Sequence, residues 1–527
     1  MIYHCEDHTC NYWDEGEKLP ERCPQCGRKL LRANEADMTG DDWTALGNTL
    51  WDAEASDKKR MVDCFRKAAY LGSAWGVCNL GICMEQGNGV EADPVQAFWL
   101  YQQAVEMGSL NAVCCLGVCY QYGIGTAPDA KQAAELYCKA AEYGSPRGQM
   151  LLARAFHDGI GVEADAAEAV YWVRAAAYQR YGEGMHRLGV CYEYGDGVEQ
   201  NWERAVHWFR EAAESGVGVA MTDLGYCYEK GCGVEQSWEQ AFSWYRRSAE
   251  CGNPVSMSNL GLCYQMGYGV EQNWQEAIKW YEQGAQCGNL QSMHNLACCY
   301  EHGEGVEQNM TEAIRWYTAA AEGGNADDMY ELGWQYDHGE GVEQDMKKAI
   351  CWYERAAEQN YPAAMNSLGE CYAMGRGVPR DLETAMEWYR RAAELGEAMA
   401  DYNMGWHLEQ AGKLSEAYAH YRKAADGNDD SAWWALGRFY ENGVVVAQDG
   451  KEARRCYETG EKLGSVKCKM RLARCKLLGI GGRRAKKAGL DLCRQALELA
   501  KESSEKEDYG YEAEMNLLRR TIAENES

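Results

Sequence analysis

The amino-terminal segment carries four cysteines whose types and spacing suit a metal ion. Cys5 and Cys10 form one pair, Cys23 and Cys26 form the other, and 12 residues separate the two pairs. The second pair stands in the run Cys-Pro-Gln-Cys-Gly, where the Pro and Gly shape a turn whose backbone N–H groups can face the thiolates. A closed site of four thiolates would be structural, since it would fold about 30 residues that have too little core of their own.

This segment resembles a short zinc ribbon of the rubredoxin-like kind. A rubredoxin-like first pair has two residues between its cysteines, whereas four stand between Cys5 and Cys10, and His4 and His8 flank that pair. The departure from the family pattern is confined to the first pair. We predict a structural Zn²⁺ bound by four cysteines in a module over residues 1–33, with iron, a mixed Cys/His set or a disulfide as alternatives.

Two other patterns invite a catalytic interpretation that the sequence does not support. Gly-x-Gly recurs along the chain, but no strand precedes it and no Lys-Ser/Thr follows, which favours structural turns over phosphate loops. The histidines share no common spacing, so a nucleophile, its base and an orienting group cannot be assembled from the pattern (His294, His302, His338, His407). We predict that the protein is not an enzyme.

The dominant feature of the chain is a repeat with a period of 36 residues. A Leu-Gly or Leu-Ala pair recurs at this step, and irregular versions precede it at Leu46 and follow it at Met404, Leu436 and Leu472 (regular: Leu80, Leu116, Leu152, Leu188, Leu224, Leu260, Leu296, Leu332, Leu368). A strict period of this length is typical of a solenoid, in which each unit buries its apolar face against its neighbours.

Each repeat reads as two helices joined by a glycine turn. In residues 254–288, Leu260 and Gly261 lie on an apolar face with helical spacing, and the glycine would let a second helix approach closely. Gly267-x-Gly269-Val would end the first helix, and Asn273 is placed to cap the second. The unit is predicted to be an αα-hairpin.

The pattern Leu-Gly-x-x-Tyr-x-x-Gly-x-Gly-Val, followed by Ala-x-x-Trp-Tyr, resembles the Sel1-like repeat, a relative of the tetratricopeptide repeat. The resemblance implies an all-α, right-handed superhelical solenoid of about 12–13 antiparallel helix pairs behind the zinc-ribbon module. We divide the chain into the zinc-ribbon-like module at 1–33, a tetratricopeptide-like first repeat at 40–74, Sel1-like repeats at 75–400, degenerate repeats at 401–482 and capping helices at 483–527.

The cysteines and the charge bear on location and partners. Seven of the 25 cysteines share one repeat phase, and helices of stacked repeats lie about 10 Å apart, too far for the roughly 7 Å that a disulfide allows (Cys83, Cys119, Cys191, Cys227, Cys263, Cys299, Cys371). We predict that these cysteines are thiols in the core, and that the methionine and tryptophan columns also lie in the core.

The start of the sequence lacks the order of a signal peptide, so we expect a cytoplasmic protein without a membrane partner. The net charge of −28 makes nucleic acid a poor partner.

Binding would have to use repeat positions that the core does not need. Counted from the glycine of the Leu-Gly pair, positions −2, +1 and +4 of the first helix should face a groove. Position −2 is largely polar, and an amide there can both donate to and accept from an extended peptide (Asn79, Cys115, Leu151, Arg187, Asp223, Asn259, Asn295, Glu331, Ser367, Asn403). Position +1 offers apolar anchors (Tyr226, Leu262, Trp334, Trp406). Position +4 is acidic (Glu85, Glu193, Glu229, Glu301, Asp337, Glu409, Glu441). The alternative is that these columns are simply the solvated side of each helix.

The resemblance to Sel1-like proteins implies a non-enzymatic scaffold or adaptor, and the acidic columns predict a basic or neutral peptide in the groove, with self-association also open. A first alternative is nucleic-acid regulation through the zinc ribbon and the basic end, since residues 465–501 carry a net charge of +9. A second is β-lactam hydrolysis, known among some cysteine-rich Sel1-like proteins. Their bridges join a regular cysteine pair in every repeat, whereas this chain has one regular cysteine column.

Overall fold

The structure is a computed structural model, and it describes residues 2–5, 13–15, 30–32, 35–51, 55–506 and 511–526. The chain divides into two compact units, Met1–Gly284 and Ala285–Ser527. Among the described residues, no helix is both long and apolar enough to cross a membrane.

The first unit begins with a small antiparallel sheet. Its strands are β1 (Ile2–Cys5), β2 (Trp13–Glu15) and β3 (Leu30–Arg32), in the order β2-β1-β3. Tyr3 of β1 is opposite Asp14 on one side and Arg32 on the other. Of the four predicted zinc ligands, Cys5 ends β1, whereas Cys10, Cys23 and Cys26 lie outside the described residues, so the zinc site stays a prediction.

Helices in antiparallel pairs make up the rest of the first unit, after a short 3-10 helix at Glu35–Asp37. They are α1 (Gly40–Thr49), α2 (Ala55–Tyr70), α3 (Ala74–Gln86), α4 (Pro94–Glu106), α5 (Leu110–Tyr122), α6 (Ala130–Glu142), α7 (Pro146–Asp158), α8 (Ala166–Tyr178), α9 (Gly182–Tyr194), α10 (Trp202–Glu214), α11 (Gly218–Lys230), α12 (Trp238–Glu250), α13 (Pro254–Met266) and α14 (Trp274–Gln286). The second unit begins within α14.

The second unit is also built of helix pairs. Its helices are α15 (Leu290–His302), α16 (Met310–Glu322), α17 (Ala326–His338), α18 (Met346–Glu358), α19 (Pro362–Met374), α20 (Leu382–Glu394), α21 (Ala398–Gln410), α22 (Leu414–Asp426), α23 (Asp430–Asn442), α24 (Gly450–Lys462), α25 (Val466–Leu478), α26 (Lys486–Lys506) and α27 (Glu512–Glu526). In both units the odd-numbered helix of a pair is its first helix, and up to α26 the even-numbered one is its second. The predicted all-α solenoid of antiparallel pairs is confirmed for the described helices.

The glycine turn between the two helices of a pair has the predicted form. Gly267 adopts the left-handed conformation with φ of 75°, and its N–H donates to the carbonyl of Cys263 at the end of α13. Gly269 also has positive φ, and a Cβ there would lie 2.2 Å from the carbonyl oxygen of Trp238, at the start of the preceding second helix. Asn273 accepts from the N–H of Glu276 and caps α14, as predicted. The loop is therefore fixed both by its own pair and by the pair before it.

Close packing of the two helices depends on a glycine and a tyrosine. A Cβ on Gly261 would lie 2.5 Å from Cε1 of Tyr281, whose side chain is wholly buried. The prediction that this glycine allows close approach is confirmed, and the ring that uses the space belongs to the second helix. The regular cysteine column is buried and unbridged, as predicted. The tryptophan column is only half-buried, and several of its rings lie under arginines, such as Arg247 over Trp244.

Candidate functional site

The candidate site is one stripe along the first helices. At 100° per residue, positions −6, −2, +1 and +5 from the repeat glycine fall within a narrow sector that points away from the second helix. We call this stripe the groove face. Position +4 lies beside it, nearer to the second helix. Two of the three predicted columns, −2 and +1, therefore belong to the same face.

Most side chains at position −2 are half-buried, whereas Cys115 is buried, and several of them link neighbouring first helices. The amide of Asn79 donates to Oδ1 of Asn48 at 2.8 Å, joining α3 to α1. Asp223 lies 2.7 Å from Nε2 of His186, joining α11 to α9. Asn403 donates to Oδ1 of Asn366 at 3.0 Å, joining α21 to α19. Part of the predicted amide ladder is thus engaged within the protein.

Three further predicted members of position −2, Asn295, Asn259 and Arg187, are also half-buried. Asn295 accepts a hydrogen bond of 3.0 Å from Gln291, one turn earlier in its own helix. Asn259 lies on α13, and Arg187 lines a cavity beside α9. Their proposed contact with a peptide stays a prediction.

Position +1 supplies exposed apolar side chains in both units. Tyr226 and Trp406 are each 44% exposed, and Leu262 is 42% exposed. Trp334 differs from the expectation, because it is half-buried and its ring stacks on His338 with the centroids 4.4 Å apart. The stacking partner is one turn along the same helix, at position +5.

Position +4 serves the core as well as the surface. The hydroxyl of Tyr317 donates to Oε2 of Glu301 at 2.6 Å, across a helix pair. The same bond recurs in both units (Tyr101–Glu85, Tyr137–Gln121, Tyr245–Glu229, Tyr281–Gln265, Tyr421–Glu409, Tyr457–Glu441). A buried hydroxyl needs such a partner. These acidic side chains therefore accept hydrogen bonds within the protein and are not only solvent-facing groups.

Glu193 differs from the acidic residues just named. The second helix of its pair carries Phe209 where those pairs carry tyrosine, and Glu193 instead hydrogen-bonds to Tyr194, its neighbour on α9. Burial, together with the nearby carboxylate of Asp223, raises the pKa of Glu193 above its usual range. Glu193 is therefore harder to ionise than a solvent-exposed carboxyl group.

Sequence reasoning missed two further columns of the groove face, at positions −6 and +5. Both hold large apolar side chains that are about half exposed or more (Trp75, Val219, Val255 and Met399 at −6; Tyr122, Tyr194, Met266 and Met374 at +5). Extending the stripe by one helical turn in each direction from positions −2 and +1 would have found them.

A thiol, an imidazole and a carboxylate meet in the second unit, which the sequence pattern did not predict. Nδ1 of His294 lies 2.7 Å from Oδ1 of the wholly buried Asp328, and Nε2 lies 3.6 Å from Sγ of Cys298. The hydroxyl of Tyr317 is 3.3 Å from the same sulfur. The bond to Asp328, followed by that to Cys298, raises the pKa of His294 to about 10. The cluster links α15, α16 and α17.

The spacing of the histidines did not indicate this cluster, because its members come from neighbouring repeats. His294 and Cys298 are four residues apart on α15, whereas Asp328 lies on the next first helix. Nucleophilic catalysis would require, in addition, donors placed for an oxyanion. Within the described residues, no group of three or more His, Cys, Asp or Glu side chains is arranged to hold a metal ion.

Comparison with known proteins agrees with the helix-pair architecture. The Sel1 repeat family model matches eleven segments (76–109, 112–145, 146–181, 182–217, 218–253, 254–289, 290–325, 326–361, 362–397, 398–429, 432–465). The last two lie within the part that we described from sequence as degenerate. No curated protein matches the chain.

Two solved structures are similar. One is c5321, described as a protective antigen of uropathogenic Escherichia coli with an SLR fold; it is 29% identical, with a TM-score of 0.58, over 81% of this chain and 94% of that one. The other is a Sel1 repeat protein from Oxalobacter formigenes, 31% identical over 46% of this chain and 96% of that one, with a TM-score of 0.42.

Proposed function

Because the chain belongs to the Sel1 repeat family, we propose that it is a non-catalytic scaffold that holds a segment of another protein against the groove face of its first helices. Repeat solenoids of this kind typically serve protein–protein interaction. One observation carries the proposal: large apolar side chains stand exposed at the same positions of neighbouring first helices. Val219 and Tyr226 lie on α11, and Val255, Leu262 and Met266 lie on α13. Apolar side chains exposed in rows mark interaction surfaces.

Polar side chains between these anchors suit a polypeptide backbone. Asn259 stands between Val255 and Leu262 on the groove face of α13, and Asn295 holds the same position on α15. An amide can donate to a carbonyl and accept from an N–H of an extended segment. We therefore assign specificity for backbone to position −2 and affinity to positions −6, +1 and +5.

Charge favours a basic or neutral partner. The chain carries a net charge of −28, and carboxylates flank the groove face at position +4. Oε1 of Glu229, for example, binds Lys230 of its own helix at 2.8 Å. A lysine or arginine of the partner can take the place of such an exposed intrahelical cation, and attraction at this range speeds encounter more than it strengthens binding.

The nucleic-acid alternative loses support at the basic end. Arg471 forms ion pairs with Glu441 at 3.2 Å and with Glu514 at 2.6 Å, and Arg474 also pairs with Glu441. Burial lowers the pKa of Lys467. Basic side chains committed to internal partners are not available to phosphates. No observation favours β-lactam hydrolysis.

Location and metal content remain part of the proposal. The cysteines from Cys64 to Cys493 are all unbridged, which suits a reducing compartment such as the cytoplasm. For the module at residues 1–33 we propose one structural zinc ion bound by Cys5, Cys10, Cys23 and Cys26. One equivalent of zinc in the purified full-length protein, lost on replacing Cys23 and Cys26 with serine, is the expected result.

The scaffold role is tested by photocrosslinking in the native host. A benzophenone amino acid at Tyr226 or Leu262 should capture one defined protein, whereas the same probe at Tyr171, an exposed position on the second helix α8, should not. Replacing Asn259 with alanine should lower capture from Leu262 while the melting temperature stays nearly unchanged. Equal labelling from all three probe positions would rule out the groove face as the binding surface.

A further inference from the structure

The column of aromatic rings on the second helices is interrupted at Val173 in the first unit. Tyr101 and Tyr137 fill the space between the helices of their pairs, and Phe209 and Tyr245 do so further along the chain. The residue at this position on α8 is Val173. Since valine lacks the ring, the space that a tyrosine ring fills in the other pairs is left partly vacant.

A cavity of about 260 Å³ occupies this place between α7, α8 and α9. Its inner wall is apolar and is formed by Ala153, Val170, Val173 and Cys191. An apolar cavity of about 150 Å³ is already large enough to hold a benzene ring. The volume and the wall therefore suit one aromatic side chain.

The other end of the cavity is polar. In the preceding pair, the hydroxyl of Tyr137 donates to Gln121 at position +4 with a distance of 2.7 Å. Position +4 of α7 is His157, which also lines the cavity. Its Nδ1 lies 2.6 Å from Asp158 and its Nε2 lies 3.2 Å from Oδ2 of Asp196. A hydroxyl brought to this place would find a carboxylate acceptor and an imidazole.

The cavity opens on the groove face. Arg154 at position +1 and Arg187 at position −2 both line it, and Arg154 is exposed. These are the same positions that carry Tyr226 and Asn259 in other repeats. A partner segment that follows the groove face therefore passes over the mouth of the cavity.

We propose that this cavity binds a tyrosine side chain of the polypeptide partner, with the ring against Val173 and the phenol hydroxyl donating to Asp196 beside His157. The ring takes the place that the other repeats fill with their own residue. The identity of the partner as a polypeptide rests on the proposed function above, whereas the affinity of the cavity for a phenol does not.

The hydroxyl distinguishes tyrosine from phenylalanine. A hydrogen bond to a charged acceptor contributes more than one between neutral groups, and its loss lowers affinity by about tenfold or more. An aliphatic or unsubstituted aromatic side chain would also leave Asp196 facing an apolar group at the end of the cavity.

Binding is tested on the full-length protein with 4-methylphenol, which reproduces the tyrosine side chain, and with toluene, which lacks only the hydroxyl. By ligand-observed NMR we expect saturable binding of 4-methylphenol that is about tenfold tighter than that of toluene. N-acetyltyrosinamide should compete with 4-methylphenol. Absence of saturable binding, or equal affinity for the two probes, would overturn the phenol site; failure of N-acetyltyrosinamide to compete would overturn the assignment to a polypeptide.

The matched variant is Val173→Tyr, which fills the cavity with the residue of the other repeats and should abolish phenol binding. The substitution suits the site, because Ala297 and Tyr317 hold the two corresponding positions in another pair of the same chain. Val173→Phe closes the same space without a hydroxyl and serves as a second variant. Phe209→Tyr makes the consensus change in the next pair and should leave binding unchanged. Binding that persists in folded V173Y and V173F proteins would show that the ligand lies elsewhere.

The two proposals fail separately. If the photocrosslinking probe at Tyr226 captures its partner equally in wild type and V173Y, and neither probe molecule binds the wild type, the tyrosine site is wrong and the scaffold role stands. If 4-methylphenol binds and V173Y abolishes it while no partner is captured, the cavity is confirmed and the scaffold role is wrong.

Discussion

The hydroxyl of Tyr245 on α12 donates to Oε2 of Glu229 on α11 at 2.8 Å, while the ring of the same tyrosine packs against Gly225. A Cβ on that glycine would lie 2.6 Å from the ring. The glycine, the tyrosine and the carboxylate thus act together: the glycine admits the ring, and the carboxylate accepts from the hydroxyl one turn further along the first helix.

We expect Tyr245→Phe to destabilise the first unit by about 1.5–3 kcal/mol, because one hydrogen bond to a charged group is lost while the ring and its packing remain. Tyr245→Ala should cost about 3–5 kcal/mol, since it also leaves a cavity. Denaturant titration followed by circular dichroism measures both. A Y245F protein as unstable as Y245A would show that packing contributes nothing beyond the hydroxyl.

Gly269→Ala is expected to destabilise the first unit by about 2–3 kcal/mol. The substitution strains a left-handed backbone and drives a Cβ into the carbonyl oxygen of Trp238, 2.2 Å away. Gly252→Ala is the matched control, since Gly252 also has positive φ but no atom within 4 Å of a Cβ. Thermal melting of the two variants should separate them, with the smaller loss in G252A; equal losses would exclude a contribution from the loop contact.

His294 should make the stability of the second unit depend on pH. Its pKa is raised to about 10 by the bond to Asp328, against an ordinary value of 6.5. Stability gained from the charged imidazole is fully present below pH 6.5 and is lost as the pH rises towards 10. We expect denaturant midpoints to fall over this range in wild type and to change much less in His294→Gln.

The overall cost of H294Q at pH 6 should be about 3 kcal/mol, because the buried Asp328 carboxylate loses its charged partner. Replacing His407 provides a contrast, since burial lowers the pKa of that imidazole. His407→Gln should therefore leave the downward slope above pH 6.5 in place. A wild-type midpoint that rises with pH over this range would contradict the assignment.

Cys298 should react with iodoacetamide faster than its neighbour Cys299. Cys298 is half-buried at position +1 and lies beside the imidazole of His294, whereas Cys299 is in the buried column, where burial raises the thiol pKa to about 12. In H294Q the rate at Cys298 should fall, and the rate at the exposed Cys351 should not change. Peptide mass mapping at pH 7.5 over time measures all three; equal rates at Cys298 in wild type and H294Q would show that the imidazole does not activate the thiol.

The fold was predictable because each local signal repeats. The Leu-Gly pair, the glycine turn and Asn273 as a helix cap are all read from residues near one another in sequence, and the structure places them as predicted. The groove face was only half predicted. Positions −2 and +1 were inferred from polarity, whereas −6 and +5 require the direction of the whole helix stripe to be known.

Contacts between helices were not predictable from the pattern of one helix. From the sequence, Glu229 is predicted to be an exposed acidic residue. Its partner, Tyr245, is 16 positions later and lies on the other helix of the pair. His294 and Asp328 are 34 residues apart and meet only when neighbouring first helices are stacked. The cavity beside Val173 was likewise not predictable. In the sequence, Val173 is only a position where a valine replaces the aromatic residue of the other second helices, and the packing of that residue was not known.

The loop that carries Gly269 touches the pair immediately before it, through the carbonyl of Trp238. A duplication of one complete 36-residue unit would offer every loop the same surface that it already meets. An insertion within the Gly-x-Gly loop would instead move the glycine away from that carbonyl. Duplication of whole units therefore lengthens the row of first helices and leaves the contacts of the existing loops unchanged.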